Sequence, residues 1–231
     1  MRAILLAAGM GTRLQPLTLT TPKPLIEVNG TAMMQRQIEF LKEKGIDEII
    51  VVTGYLEEKF QFLKEKYNVK LVHNDKYNVY NNIYTMYLVK DYLPGSYVMD
   101  GDIYLQNNFI DENINKSTYF SGYKEKFKDE WILEFDDNNK VYNINIGSGN
   151  GHILCGVSYW SPKDGEHIVK KLEEAINGNS FEDLYWDNMV KDNLKDLDVY
   201  IRKINSDDCF EIDSLDDLYS VSEKLKVINE K

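Results

Sequence analysis

Cysteine, arginine, proline and positive charge are all scarce in this 231-residue chain, and each shortage excludes something. Two cysteines, Cys155 and Cys209, cannot build a disulfide framework and suit a reducing compartment, so a cytoplasmic location is expected. Lys and Arg number 27 against 38 Asp and Glu, a net charge of −11. Nucleic acid and anionic membranes both select for a basic footprint, so neither is expected as a partner. Small phosphorylated ligands need only a few local cations and remain open. The N-terminal apolar run Ala3–Ala8 is too short to span a bilayer or to form a usual signal-peptide core. No Pro-rich linker, internal repeat or low-complexity tract divides the chain. The three histidines, His73, His152 and His167, have no metal-ligand spacing and stay outside the chemistry. Sixteen tyrosines beside four arginines read as the codon bias of an AT-rich genome rather than as a functional signal.

What is present is an alternation of short apolar runs and helical patterns. Arg2–Leu6, Glu48–Thr53, Lys70–His73 and Ser96–Asp100 read as buried strands. Helices are predicted over 31–44, closed by Gly45, over Leu56–Tyr67 and over Asn82–Lys90. Strand–helix–strand–helix–strand within about 75 residues is the pattern of right-handed crossovers and a parallel sheet. Beyond Ser117 the period changes. Thr118–Lys124, Trp131–Phe135, Lys140–Ile146, Ile153–Trp160 and Asp198–Ile204 read as strands, the second and third joined by the turn Asp136–Asn139. Helices are expected near 163–177, 181–193 and from Ser214, where Ser214 and Asp217 have capping-box spacing. The expectation is an α/β fold: a Rossmann-like, mostly parallel twisted sheet with helices on both faces and a smaller α+β portion. It would form one domain over 1–231, with about 1–115 taking a nucleotide and about 116–231 a second substrate.

Chemistry concentrates at the N-terminus. Leu6-Ala7-Ala8-Gly9-Met10-Gly11-Thr12-Arg13 follows the first strand, at the sheet edge where such folds bind ligands. Glycines there let backbone N–H groups approach phosphate oxygens. The Rossmann fingerprint and the Walker loop are both absent: Leu14 stands where a third glycine would be needed, and no Gly-Lys-Ser/Thr occurs. Arg13 and Lys23, the latter between Pro22 and Pro24, supply cations suited to a transferring phosphoryl group.

Gly9-x-Gly11-Thr12-Arg13-Leu14-x-Pro16-Leu17-Thr18, followed by Pro22-Lys23-Pro24-Leu25, resembles the signature of the nucleotidyltransferases that make nucleotide sugars and CDP-alcohols. Tyr77–Tyr87, Asp100–Tyr104, Glu130-Trp131, Leu184–Asn193 and Phe210–Ser214 together resemble the bacterial CTP:phosphocholine cytidylyltransferases over nearly the whole chain.

That resemblance implies CTP and phosphocholine as substrates and Mg²⁺ as cofactor, held by Asp102 and Asp213, with Asp100 close by. It implies that Arg13 and Lys23 are catalytic, and that Leu6, Ala7, Ala8, Gly9, Gly11, Thr12, Asn74, Asn81 and Asp100 face the nucleotide. It implies a choline site of Trp131, Tyr185, Trp186 and Asp187, with Glu130 and Glu211 as further acids. A quaternary ammonium cannot donate a hydrogen bond, so aromatic faces and nearby carboxylates are the chemistry that would hold it. Adjacent residues on a helix face different ways, so only one of Tyr185 and Trp186 is expected to line the pocket fully. Phosphoethanolamine, 2-aminoethylphosphonate or a sugar 1-phosphate would be alternative second substrates, and a non-catalytic nucleotide-binding regulatory domain is the alternative of another class. Nothing in the sequence sets an oligomeric state.

Overall fold

A computed structural model describes residues 1–178 and 180–229, with side chains to 227. The elements in chain order are β1 (Arg2–Ala7), β2 (Glu27–Val28), β3 (Thr31–Ala32), α1 (Met33–Glu43), β4 (Glu48–Thr53), α2 (Gln61–Tyr67), β5 (Lys70–His73), α3 (Asn82–Tyr87) and β6 (Ser96–Asp100). There follow β7 (Ile103–Leu105), β8 (Thr118–Phe135), β9 (Val141–His152), β10 (Val157–Trp160), α4 (Pro162–Ile176), α5 (Asp187–Asp192), β11 (Tyr200–Ile204), β12 (Cys209–Glu211) and α6 (Leu215–Asn229).

The main sheet runs β11-β8-β10-β6-β1-β4-β5, with β9 paired to β8. The β6-β1-β4-β5 half is parallel and β10 is antiparallel to both its neighbours. β1 explains its own apolar run. Ile4 and Leu6 enter the core shared with Ile83, Met86, Ile168 and Leu172, while Ala3, Leu5 and Ala7 enter the opposite core with Met34, Ile38, Phe60 and Leu63. A strand buried on both faces by helices needs apolar residues throughout. Strand order reverses at β1, so its carboxyl end and that of β6 open the crevice where such sheets take ligands.

Several boundaries differ from the sequence reading. The two strands expected at Thr118–Lys124 and Trp131–Phe135 are one strand, β8. Two register shifts, at Lys124/Phe127 and Phe127/Glu130, carry Lys126 and Asp129 at φ of 55° and 54°. Such bulges bend a strand without ending it, and the intervening charged residues hid its continuity. β9 likewise continues past Ile146 to His152.

The helix expected over 181–193 shrinks to α5. Residues 182–186 instead run along the start of α3, with Asn81 N–H donating to Glu182 O (2.8 Å) and Trp186 N–H donating to Asn82 Oδ1 (2.8 Å). The capping pair at the last helix is present: Ser214 N–H donates to Asp217 Oδ2 (2.8 Å) and Asp217 N–H to Ser214 Oγ (3.2 Å).

Two features place the C-terminal part of the chain beside the N-terminal loop. β12 pairs antiparallel with β7. A third core, holding Leu14, Ile26, Met33, Tyr104, Ile212 and Leu225, joins α6 to the loop after β1.

Candidate active site

A cleft of about 860 Å³ lies at the carboxyl ends of β1 and β6. One wall is the loop after β1, wound into three short 3-10 turns at Thr12–Leu14, Leu17–Leu19 and Lys23–Leu25. Gly11 is needed at the first bend. Its φ is +58°, and a Cβ there would stand 2.7 Å from Cβ of Lys23, so any side chain would displace the lysine. Thr18 Oγ1 donates to Gly11 O (3.0 Å), and the Tyr55 hydroxyl donates to Thr18 O (2.9 Å), closing the loop on itself.

Lys23 is the centre of the charge arrangement. Its ammonium donates to Asp102 Oδ2 at 2.7 Å and to Asp213 Oδ1 at 2.5 Å, and Arg13 pairs with the other oxygen of Asp213 at 2.9 Å. Burial disfavours the Lys23 charge, but Asp102 and Asp213 outweigh it and raise its pKa above the usual lysine value. The reciprocal holds for Asp213. Burial pushes its carboxyl up, yet Lys23 and Arg13 hold it below the usual carboxylate range. Arg13 lines the cleft with 71% of its side chain exposed.

Glu211 completes a group of three: one oxygen from each of Asp102, Glu211 and Asp213 lies within 4.8 Å of the others. Glu211 is open to solvent on one side. Loss of water from the rest of the carboxyl, with Asp102, Asp213 and Glu130 nearby, pushes its pKa up to about 8. Burial first, and Asp102 next, push Asp100 well above the carboxylate range. Four carboxyl groups crowded at this end of the cleft, two of them held toward their protonated forms, are the electrostatic setting a divalent cation relieves.

The far wall comes from β8 and from the segment before α5. The rings of Trp131 and Tyr185 meet edge to face, centroids 6.1 Å apart, and both line the cleft. Asp187 lines the cleft beside them, accepting a hydrogen bond from the Tyr119 hydroxyl (2.8 Å), and burial pushes its pKa up to about 7.

Of the residues expected at the site, all but Asn74 and Trp186 line this cleft. Asn74 is fully buried; its amide donates to Thr85 Oγ1 (3.0 Å) and accepts from Lys76 N–H (2.8 Å), leaving it to support the wall from behind. Thr85 takes its place on the cleft surface. Trp186 is 2% exposed and packs edge to face on Trp160 (5.6 Å), so Tyr185 is the member of that pair facing the cleft. Asn81 lines the cleft, but its amide is engaged: Oδ1 accepts from Asn82 N–H (2.7 Å) and Nδ2 donates to Asp183 O (3.1 Å). Tyr119 carries no sequence signal of this role, because a tyrosine within a strand reads as core until its hydroxyl is given a partner.

Residues 2–117 match the family model described as nucleotidyl transferase. The chain is 51% identical over 226 residues to the choline-phosphate cytidylyltransferase of Streptococcus pneumoniae, covering 98% of this chain and 99% of that one. It is 35% identical over 220 residues to a 2-aminoethylphosphonate cytidylyltransferase of Lancefieldella rimae, covering 94% and 89%. The solved structure of CTP:phosphocholine cytidylyltransferase from Streptococcus pneumoniae superimposes with a TM-score of 0.96 at 51% identity, over 97% of this chain and 98% of that one.

Proposed function

The chain belongs to the nucleotidyl transferase family, within its choline-phosphate cytidylyltransferase branch, and on that footing we propose that it transfers CMP from CTP to phosphocholine. The observation that carries this reading is the cleft itself. It sets a glycine loop and two cations at one end, paired aspartates at the bottom, and an aromatic corner above a carboxylate at the other.

A phosphate oxygen of phosphocholine attacks the α-phosphorus of CTP. The bond to the oxygen bridging the α- and β-phosphorus breaks, and pyrophosphate leaves with that electron pair. The attacking phosphate is already an anion at neutral pH, so no protein nucleophile or general base is required. Rate then comes from alignment and from stabilising charge on the transferring group. Arg13 holds the departing phosphates, Lys23 faces the reacting centre, and backbone N–H groups from Ala8 to Thr12 cradle the nucleotide phosphates.

The acids at the bottom of the cleft fit Mg²⁺. They are hard oxygen donors, few in number, and they already share one cation, the Lys23 ammonium. Asp102 and Asp213 are the residues that would hold the ion. When bound, Mg²⁺ neutralises charge on the nucleotide phosphates.

Trp131 and Tyr185 face the quaternary ammonium and Asp187 supplies the counter-charge. The chain works as one transferase domain, its first half taking CTP and its second phosphocholine. Among the described residues no helix is long and apolar enough to cross a membrane, and a cytoplasmic setting with small-molecule substrates fits the acidic composition.

The test is to follow label from CTP. With phosphocholine present, α-phosphorus label is expected in CDP-choline and γ-phosphorus label in pyrophosphate. Label remaining in CTP, from folded protein supplied with Mg²⁺, would contradict the reading.

A further inference from the structure

Gln37 is the polar member of an otherwise apolar row. The buried face of α1 consists of Met33, Met34, Gln37, Ile38 and Leu41, and Gln37 is fully enclosed. Burying an amide in such a row is unfavourable unless it is hydrogen-bonded. Here Nε2 spends both hydrogens on the turn between β6 and β7, donating to Asp100 O and Ile103 O at 2.8 Å each. Its Oε1 is buried without a hydrogen-bond partner. Turning the amide over would put that oxygen against two carbonyl oxygens, so the orientation is dictated by the turn it holds.

The turn has no slack elsewhere. Gly101 N–H donates to Leu6 O (2.9 Å), and a Cβ on Gly101 would stand 2.8 Å from that oxygen and 2.8 Å from Cγ of Pro24. Arg36, next to Gln37, donates to Leu105 O and to Gln106 O (2.8 Å), while its flat face covers the rings of Phe40 and Tyr104 at 4.6 and 5.1 Å. Two adjacent residues of α1 thus grip four carbonyls between Asp100 and Gln106. That stretch contains Asp102 and all of β7, on which β12 and Glu211 are paired.

We propose that Gln37 is a positioning residue for the metal site, fixing the Asp100–Ile103 turn so that the Asp102 carboxylate stands opposite Asp213. The proposal rests on the metal reading of Asp102 and Asp213 given above. It assigns no contact between Gln37 and the ion or either substrate.

The experiment is calorimetric titration of Mn²⁺ into protein holding CTP, without phosphocholine, so that no turnover is needed. Gln37→Met keeps the volume and removes both donors; Ile38→Val loosens the same helix but leaves the donors in place. Gln37→Met is expected to weaken Mn²⁺ binding roughly ten- to a hundredfold, the range seen when partners of metal ligands are lost. Ile38→Val is expected to lower the melting temperature and leave Mn²⁺ affinity unchanged. If Gln37→Met does not fold, Gln37→Asn, one methylene too short to reach both carbonyls, is expected to weaken Mn²⁺ in the same direction. Wild-type affinity in the folded Gln37 variant, or equal weakening by Ile38→Val, would overturn the proposal alone. No Mn²⁺ binding by the wild-type protein would overturn it together with the metal reading.

Discussion

Lys23 and Asp213 lie 190 residues apart in the chain and 2.5 Å apart in the fold. Their ion pair, extended by Asp102 and Arg13, ties the loop after β1 to the segment before α6. It places one mostly buried ammonium between two carboxylates.

Lys23→Met should therefore act in two ways. Loss of one stabilising charge at the transferring phosphoryl group is expected to lower turnover by about a hundredfold or more. Asp102 and Asp213 would lose their common counter-ion. The measurement is kcat at saturating substrates, with circular dichroism to confirm folding; near-normal kcat would remove Lys23 from the reaction.

The two neighbouring aromatics should separate cleanly. Trp131→Ala and Tyr185→Ala are expected to raise KM for phosphocholine several-fold, since one cation–π contact contributes about 0.5–2 kcal/mol. Trp186→Ala removes a core ring and is expected to cost about 3–5 kcal/mol of stability. Denaturant melts alongside substrate titrations distinguish the groups. A Trp186 variant of full stability with a raised phosphocholine KM would reverse the assignment.

Asp187 carries a pH dependence whose direction follows from its burial. Its carboxyl is pushed up to about 7 in the folded chain, against about 4 when unfolded. Between those values the folded state holds a proton that the unfolded state releases. The stability contributed by this group is thus full below the window and is lost as pH rises through it. Asp187→Asn removes that slope, so its melting temperature relative to wild type is expected to be higher at pH 8 than at pH 4. Binding runs the other way. A cation selects the carboxylate, so wild-type affinity for phosphocholine should rise with pH through about 7 and the variant should lose that rise. Parallel pH profiles for the two proteins would exclude Asp187 from the ammonium site.

How far the sequence exposes this site depends on the kind of constraint at each residue. Gly11, Lys23 and Pro24 occupy a backbone path with few solutions, so residue type and spacing reveal them. Asp102 and Asp213 are brought together by the pairing of β12 with β7, two three-residue strands. No local periodicity marks strands that short, and only the resemblance to known transferases singled the two acids out. Tyr185 and Trp186 are adjacent and alike in type. What separates them is the hold of Asn82 on the Trp186 backbone, which turns one ring into the core and leaves the other in the cleft. Gln37 was invisible for a different reason: a glutamine in a helix reads as solvent-facing until its burial and two acceptors are known. The bulged strand β8 reads as two strands in the sequence because alternation breaks wherever a bulge inserts a residue.

The most direct measurement is pyrophosphate release with Mg²⁺, crossing CTP, UTP, dTTP and ATP against phosphocholine, phosphoethanolamine, 2-aminoethylphosphonate and glucose 1-phosphate. Release confined to CTP with phosphocholine is expected. Release with a different pair would keep the nucleotidyl transfer and contradict the choline site at Trp131, Tyr185 and Asp187, while silence across the grid from folded protein would contradict the transferase itself.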